Sequence, residues 1–208
     1  RTHAMSVYGP PGTTKMIRHL SKAFEVDVHI RRDLDEKFDP EGALISGNDI
    51  APGFIYEKSG LKIQSFEVDH YPVPDAMGYI VTYGKRKVVI SGDTRYMPTM
   101  ASIAKGADLL IHEVAAPKAI WKRSNMIGRK PEHTQKIIDH HATPSEVGAI
   151  LEESKPRLGA FYHIVGGPGA EEEISETVKN VYAGDFLIPD DLTVIEIGDE
   201  IKISKIPG

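Results

Sequence analysis

The sequence of 208 residues contains no cysteine, so it can form neither a disulfide bond nor a metal site with thiolate ligands. It has no apolar run close to the roughly 18 residues that cross a membrane and no signal peptide at its start, which together predict a cytoplasmic protein without a membrane partner. Neither sign of charge dominates, since the net charge is -5, and this excludes a global attraction to nucleic acid. Any metal site must therefore use histidine, aspartate and glutamate, and the nine histidines supply candidates.

The order of apolar runs and turns predicts a layered α/β (α+β) fold in a single domain over residues 1–208. A strand at Met5 to Tyr8, a turn and a helix from Thr13 to about Phe24 come first, followed by an irregular segment with at most one short strand up to Ile50. Antiparallel strands at hairpin spacing are expected at 54–57, 61–68, 79–83 and 87–90. Helices are expected at 98–104, 133–140, 143–155 and 171–182, and strands at 109–111, 158–162, 186–188, 192–197 and 201–206. The helix from Thr143 is the clearest, because T-x-x-E forms a capping box.

Polar and titratable residues follow several of the apolar strands directly. The run "VVI" leads into Ser91-Gly92-Asp93, "LLI" into His112-Glu113, "AFY" into His163, and "FEVD" into His70. Each of these residues alone is typical of a turn or of the protein surface. Together they predict one site, because the carboxyl ends of strands converge on a crevice and because histidine with carboxylate is the ligand set of zinc where cysteine is absent.

Five motifs carry a resemblance to a known family: "VDHYPVPDAMGYIV", "VVISGDTR", "ADLLIHEVA", "DHHATPSEVGAI" and "AFYHIV". In this order and spacing they resemble the carboxyl-terminal part of the metallo-β-lactamase superfamily, and within it the tRNase Z-like branch. The match covers roughly residues 70–163, and the segment "VYGPPG" resembles the strand-turn-helix element of that branch. The resemblance implies a four-layer αβ/βα fold and a metal-dependent hydrolase.

The resemblance also implies roles for individual residues. His70 would bind the first metal ion, Asp93 would bridge the two ions as a metal ligand and catalytic residue, and His163 would bind the second. Glu113 and His141 match the positions that pass a proton to the leaving group. The expected cofactor is two zinc ions, with manganese or iron as alternatives, and the nucleophile is a hydroxide that bridges them.

One signature of the superfamily does not occur in the sequence, namely H-x-H-x-D-H. It would supply two histidines to the first metal, and an aspartate and a histidine to the second. Without it each ion has two protein ligands, fewer than the three or four of stable zinc sites. We therefore expect the domain to be incomplete at its amino terminus and an upstream segment to complete the metal site, with a natural inactive fragment as the second explanation.

The sequence leaves three functions open. The first is a dinuclear zinc hydrolase of an ester, sulfate ester, lactam or phosphodiester; the second is a tRNA 3'-processing endoribonuclease of the tRNase Z type; the third is a non-catalytic scaffold. The tight hairpin before Asp93 leaves no place for an inserted tRNA-binding arm, and the loop that carries Trp121 and Met126 would form an apolar lip over a small substrate. The basic residues of the same loop, at 122–123 and 129–130, would instead face a phosphodiester. The resemblance further implies a homodimer.

Overall fold

The computed structural model describes residues 2–35 and 39–206, and in it the chain divides into two compact units between Phe54 and Ile55. Each unit has its own elements and its own packing. No helix in the described part of the chain is both long and apolar enough to pass through a membrane. The assignment of residues 1–208 to one domain stays a prediction.

The first unit is built on two parallel strands, β1 (Met5–Gly9) and β2 (Ile45–Asp49), paired from Met5 with Ile45 onward. Helix α1 (Thr13–Ala23) follows the turn after β1, and the short helix α2 (Glu25–His29) follows α1. The segment predicted to be irregular holds, after α2, a π-helical turn and a 3-10 turn ahead of β2. The prediction of a strand-turn-helix unit is thus confirmed.

The start of α1 differs from the predicted cap. Gly12, with φ at 103°, is the N-cap residue, while Thr13 is already helical and donates its hydroxyl to the Pro10 carbonyl at 2.7 Å. A left-handed φ is open to glycine without steric cost, so glycine rather than threonine ends this turn.

The second unit contains a seven-stranded sheet in the order β3-β4-β5-β6-β7-β8-β9. The first four strands are antiparallel and the last four, from β6, run parallel to one another. The strands are β3 (Ile55–Lys58), β4 (Leu61–Glu67), β5 (Met77–Tyr83), β6 (Arg86–Ile90), β7 (Leu109–Ala115), β8 (Leu158–Val165) and β9 (Phe186–Leu187). A separate antiparallel hairpin, β10 (Thr193–Ile197) with β11 (Ile201–Lys205), ends the described chain.

Successive side chains of a strand point to opposite faces of the sheet, so the central strands contribute to two separate apolar clusters. Leu110 and Phe161 are buried in the larger cluster with helix residues such as Ile150 and Ile174. Their neighbours Leu109 and Ala160 are buried in a smaller cluster with the hairpin β10-β11. The helices are α3 (Thr99–Ala104), α4 (Pro117–Met126), α5 (Pro131–Asp139), α6 (Pro144–Ser154) and α7 (Ala170–Lys179). The predicted α/β layered class is confirmed.

Two local predictions about this unit were wrong. The segment expected to be a loop around Trp121 is helix α4, which has proline in its first turn and whose Lys118 and Ala119 N–H groups donate to the Glu173 carboxylate. Strands β7 and β8 also continue past their predicted ends, so that His163 lies within β8 rather than beyond it. In both cases partners distant in sequence stabilise structure that the local pattern does not indicate.

Candidate metal centre

Four strands of the second unit deliver their carboxyl ends to one edge of the sheet. Strands β6, β7 and β8 are parallel, and β4 runs in the same direction because two antiparallel pairings separate it from β6. The predicted site residues follow or lie in these strands: His70 after β4, Asp93 after β6, Glu113 in β7 and His163 in β8. The structure therefore gathers them at the edge where ligands bind in layered α/β sheets.

Asp93 is held by a tight turn after β6. The Ser91 N–H continues the ladder by donating to the Ile111 carbonyl at 3.0 Å, and Gly92 then adopts a φ of 67°. A side chain at Gly92 would collide with the Met77 carbonyl, so this position requires glycine for its backbone angle and for its close approach. The turn aims Asp93 out of the sheet with about a third of its side chain exposed.

His163 reaches the same place through an irregularity in β8. The pairing of β7 with β8 shifts between Glu113 and Val114, so that His163 is the extra residue of a bulge, and its φ is 42°. Bulges re-aim side chains at the ends of strands. Here the bulge brings His163 Nε2 to 3.4 Å from Asp93 Oδ2.

His70 follows β4 and is oriented by a backbone carbonyl. Its Nδ1 lies 2.9 Å from the His140 carbonyl oxygen, and because a carbonyl only accepts, Nδ1 carries the proton and Nε2 keeps a free lone pair. Histidines that bind metals commonly have their other nitrogen fixed in this way. The Arg95 N–H donates to the Asp69 carbonyl at 2.7 Å, which joins the His70 segment to the turn of Asp93.

Glu113 and His141 form a buried pair beside these residues. The Glu113 side chain is fully buried and that of His141 is 10% exposed, with His141 Nδ1 2.9 Å from Glu113 Oε2. The other carboxylate oxygen accepts the Ala142 N–H at 2.8 Å, and the Ala115 N–H donates to the Ala142 carbonyl at 2.8 Å. Strand β7 thus fixes the loop that carries His141, and the carboxylate fixes the tautomer of its ring.

The histidine rings lie next to one another. The His141 ring centroid lies 5.2 Å from that of His70 and 5.4 Å from that of His163. His140 flanks the group, with its ring centroid 6.1 Å from that of His70 and the two rings nearly perpendicular. Burial, followed by the nearby charges of His70 and His141, lowers the pKa of His140. Imidazole nitrogens and a carboxylate therefore meet in one small volume.

His112, next to Glu113 in β7, is buried away from this group. Its Nδ1 lies 2.6 Å from the Glu113 carbonyl, and burial lowers the pKa of its ring. Within the described residues its Nε2 has no hydrogen-bond partner. A ring that is 1% exposed supports the strand rather than contacting a ligand.

The donor set fits a metal ion only in part. His70, Asp93 and His163 offer nitrogen and oxygen ligands of the kind that zinc accepts, and His70 already has the tautomer that ligation needs. Within residues 2–35 and 39–206, however, no three side chains of the ligating types are arranged to enclose an ion. The described residues therefore supply some ligands of a metal site but not a full coordination shell.

Two residues that the sequence did not single out also shape this region. Arg95 donates its Nε–H to the Asp139 carbonyl at 2.7 Å, and its guanidinium lies 5.5 Å from the centre of the Tyr71 ring, so it braces the segments of His70 and His141. Tyr162 precedes His163, and burial raises the pKa of its phenol to about 12. The one sequence signal that could have pointed to Arg95 is its position directly after "SGDT".

Comparisons with known proteins find relatives that match most of the chain. The family model described as beta-lactamase superfamily domain matches residues 1–164. A ribonuclease Z of Mycobacterium tuberculosis is 26% identical over 198 residues, which cover 93% of this chain and 69% of that protein.

Solved structures of low sequence identity share the fold. The metallo-beta-lactamase fold protein YhfI from Bacillus subtilis is 18% identical with a TM-score of 0.61, over 89% of this chain and 61% of YhfI. Zn(2+)-bound PqqB from Methylobacterium extorquens is 18% identical with a TM-score of 0.54, over 89% of this chain and 62% of PqqB. The family predicted from the sequence is confirmed, and with it the class of metallo-hydrolases. The chain belongs to the metallo-β-lactamase superfamily, and its similarity to ribonuclease Z supports the tRNase Z-like branch within it.

Proposed function

We propose that this chain contributes to the active site of a metal-dependent hydrolase that cleaves a phosphodiester bond in RNA, as an endoribonuclease of the tRNase Z type. The sequence alone placed a hydrolase of an ester, sulfate ester, lactam or phosphodiester first and the tRNase Z type second. The ribonuclease Z relative favours the RNA substrate instead, because it aligns with 93% of the chain.

The observation that carries the proposal is the buried Glu113–His141 pair beside His70, Asp93 and His163. Glu113 keeps the His141 proton on Nδ1, so the Nε2 atom is the one that exchanges a proton with a substrate. An imidazole oriented in this way is suited to protonate a departing alkoxide oxygen. A scaffold that binds no substrate has no need of such a pair.

His70, Asp93 and His163 are the residues that would hold metal ions, as the resemblance implies. Divalent ions bound there would supply an activated water and offset the charge of the phosphodiester. The zinc of PqqB supports zinc as the metal, although the identity and the number of the ions stay predictions. The homodimer and the cytoplasmic location are also retained as predictions.

The test compares substrates on the full-length, metal-loaded protein, whose metal content is measured in parallel. We expect metal-dependent cleavage of a precursor tRNA at its 3' side, and little turnover of chromogenic ester, sulfate ester and lactam substrates. The control is His141→Ala, which should retain the metal and lose cleavage. Turnover of the small substrates alone would favour the first function of the sequence analysis, and the absence of both metal and turnover would favour the scaffold.

A further inference from the structure

A cleft with two arginines opens next to His163. It has a volume of about 300 Å³ and lies between the end of β8 and helices α4 and α5. Arg123 and Arg129 line it together with His163, and the rest of its wall is mostly aliphatic: Ile120, Ile137, Ile164, Val165 and Gly166. One wall of the cleft is thus a residue of the candidate metal centre.

The position of Arg123 is set by a glycine pair after β8. A Cβ at Gly167 would lie 3.1 Å from Arg123 Cδ, so the aliphatic part of the arginine packs directly over the glycine backbone. Its guanidinium donates to the Gly166 carbonyl at 3.4 Å. The side chain is therefore directed along the cleft although it is exposed.

Arg129 enters the cleft through the turn that ends α4. Gly128 has a φ of 67°, and the Arg129 N–H donates to the carbonyl of the buried Ser124 at 2.9 Å. This turn folds the chain back toward α4 before α5 begins. The half-buried Arg129 is consequently held beside Arg123 at the same cleft, although the two are six positions apart.

Neither guanidinium has a carboxylate partner in the part of the chain that the structure describes, whereas Arg31, Arg86 and Arg157 each do. Two cations with unused donors beside aliphatic walls attract an anion strongly, because such walls focus the field. The guanidinium fork matches the oxygens of phosphate better than those of a neutral ester or lactam.

We propose that Arg123 and Arg129 form a phosphate subsite that holds a backbone phosphate of a nucleic acid next to the bond that is cut at the metal centre. The subsite rests on the proposed function and specifies its substrate class as a polyanion. Arg123 and Arg129 would bind and orient this phosphate, and His163 would lie between it and Asp93.

The experiment measures binding of a fluorescein-labelled single-stranded oligonucleotide to the full chain, with a methylphosphonate oligonucleotide as the uncharged equivalent. Arg123→Gln and Arg129→Gln should each weaken binding of the charged probe about tenfold, as the loss of a charge-assisted hydrogen bond predicts. Each should also reduce the slope of log K against log salt by about 0.7, the value for one phosphate of a single strand. Binding of the uncharged probe should not change.

Matched controls are Lys122→Gln and Lys130→Gln, which remove neighbouring exposed charges that do not line the cleft. Their affinities should stay within about twofold of the wild type. Gly167→Ala, which displaces Arg123 without removing its charge, should weaken binding less than Arg123→Gln does. Equal losses in the arginine and lysine variants would show only a diffuse positive field and would overturn the subsite.

Two further results separate the subsite from the proposed function. Inorganic phosphate should compete only weakly with the oligonucleotide; if phosphate displaces it fully at millimolar concentration, the cleft is a site for free phosphate and the assignment to a nucleic-acid backbone is wrong. If the wild type cuts no RNA while the arginine variants still lose affinity, the subsite stands and the proposed function fails. If the wild type cuts RNA and the arginine variants bind normally, the proposed function stands and the subsite fails.

Discussion

Replacing Glu113 by glutamine should reverse the tautomer of His141. The carboxylate accepts two donors, the Ala142 N–H at 2.8 Å and His141 Nδ1 at 2.9 Å, whereas an amide has one oxygen and one NH2 group. The backbone N–H cannot become an acceptor, so the amide oxygen stays with Ala142 and the NH2 group faces His141. His141 Nδ1 must then accept, and its proton moves to Nε2.

The cost of Glu113→Gln to stability should be small. The variant keeps two hydrogen bonds of similar geometry and replaces one charge-assisted bond by a neutral one, which differ by about 1 kcal/mol. For a chain of this length that corresponds to a decrease in Tm of about 3 °C. Glu113→Ala, which leaves the Ala142 N–H without an acceptor and opens a cavity, should cost about 3 kcal/mol. The exposed Glu153→Gln serves as the control and should change stability by less than about 0.5 kcal/mol.

The effect on catalysis should be much larger than the effect on stability. The acid that protonates a leaving group is the imidazolium, which carries hydrogens on both nitrogens. The amide NH2 group facing Nδ1 disfavours that form, and the neutral Nε2–H that remains is a much weaker acid, so kcat should fall by about 100-fold to 10,000-fold. The assay combines kcat with metal content and with long-range nitrogen-proton NMR, which reads the tautomer of each histidine. An unchanged His141 tautomer in Glu113→Gln, or a loss of metal that accounts for the loss of kcat, would refute this account of the pair.

Three other predictions concern Asp93, the turn at Gly92 and the ion pair of Asp108. Asp93→Ala should remove metal and activity together, whereas His141→Ala should retain metal, as elemental analysis of the two variants would show. Gly92→Ala should destabilise the fold by about 2 kcal/mol or more in urea titration, because of its φ of 67° and the contact with the Met77 carbonyl; unchanged stability would contradict the close approach. Asp108 is buried, which acts to raise its pKa, but hydrogen bonds from the Lys87 N–H and an arginine lower the pKa below its usual value. Asp108→Asn should therefore cost about 1 kcal/mol at pH 7, and this cost should disappear as the pH falls below about 4, since the stabilisation exists only where the carboxylate is ionised.

The sequence predicted the elements that depend on local pattern. The hairpin from Tyr79 to Ile90 was evident from two strand-like runs at hairpin spacing on either side of Gly84, and the structure pairs Tyr83 with Arg86 across the turn. The capping box at Thr143 was equally clear and is present. Helix α4 was missed because α7 supplies the Glu173 carboxylate that caps its first turn from 54 positions away. Contacts of this kind leave no periodic signal in the sequence.

The candidate site likewise depends partly on the sequence and partly on tertiary contacts. The sequence by itself determined which residues could take part, because the polar side chains that follow apolar strands are set by the chain order alone. Only the tertiary structure decided their relations: the bulge that turns His163 toward Asp93, the carbonyl that fixes His70, and the carboxylate that fixes His141. A bulge depends on the register of two strands, and a tautomer depends on which acceptor the fold brings near. Both are properties of packed neighbours, and neither can be read from the residues in order.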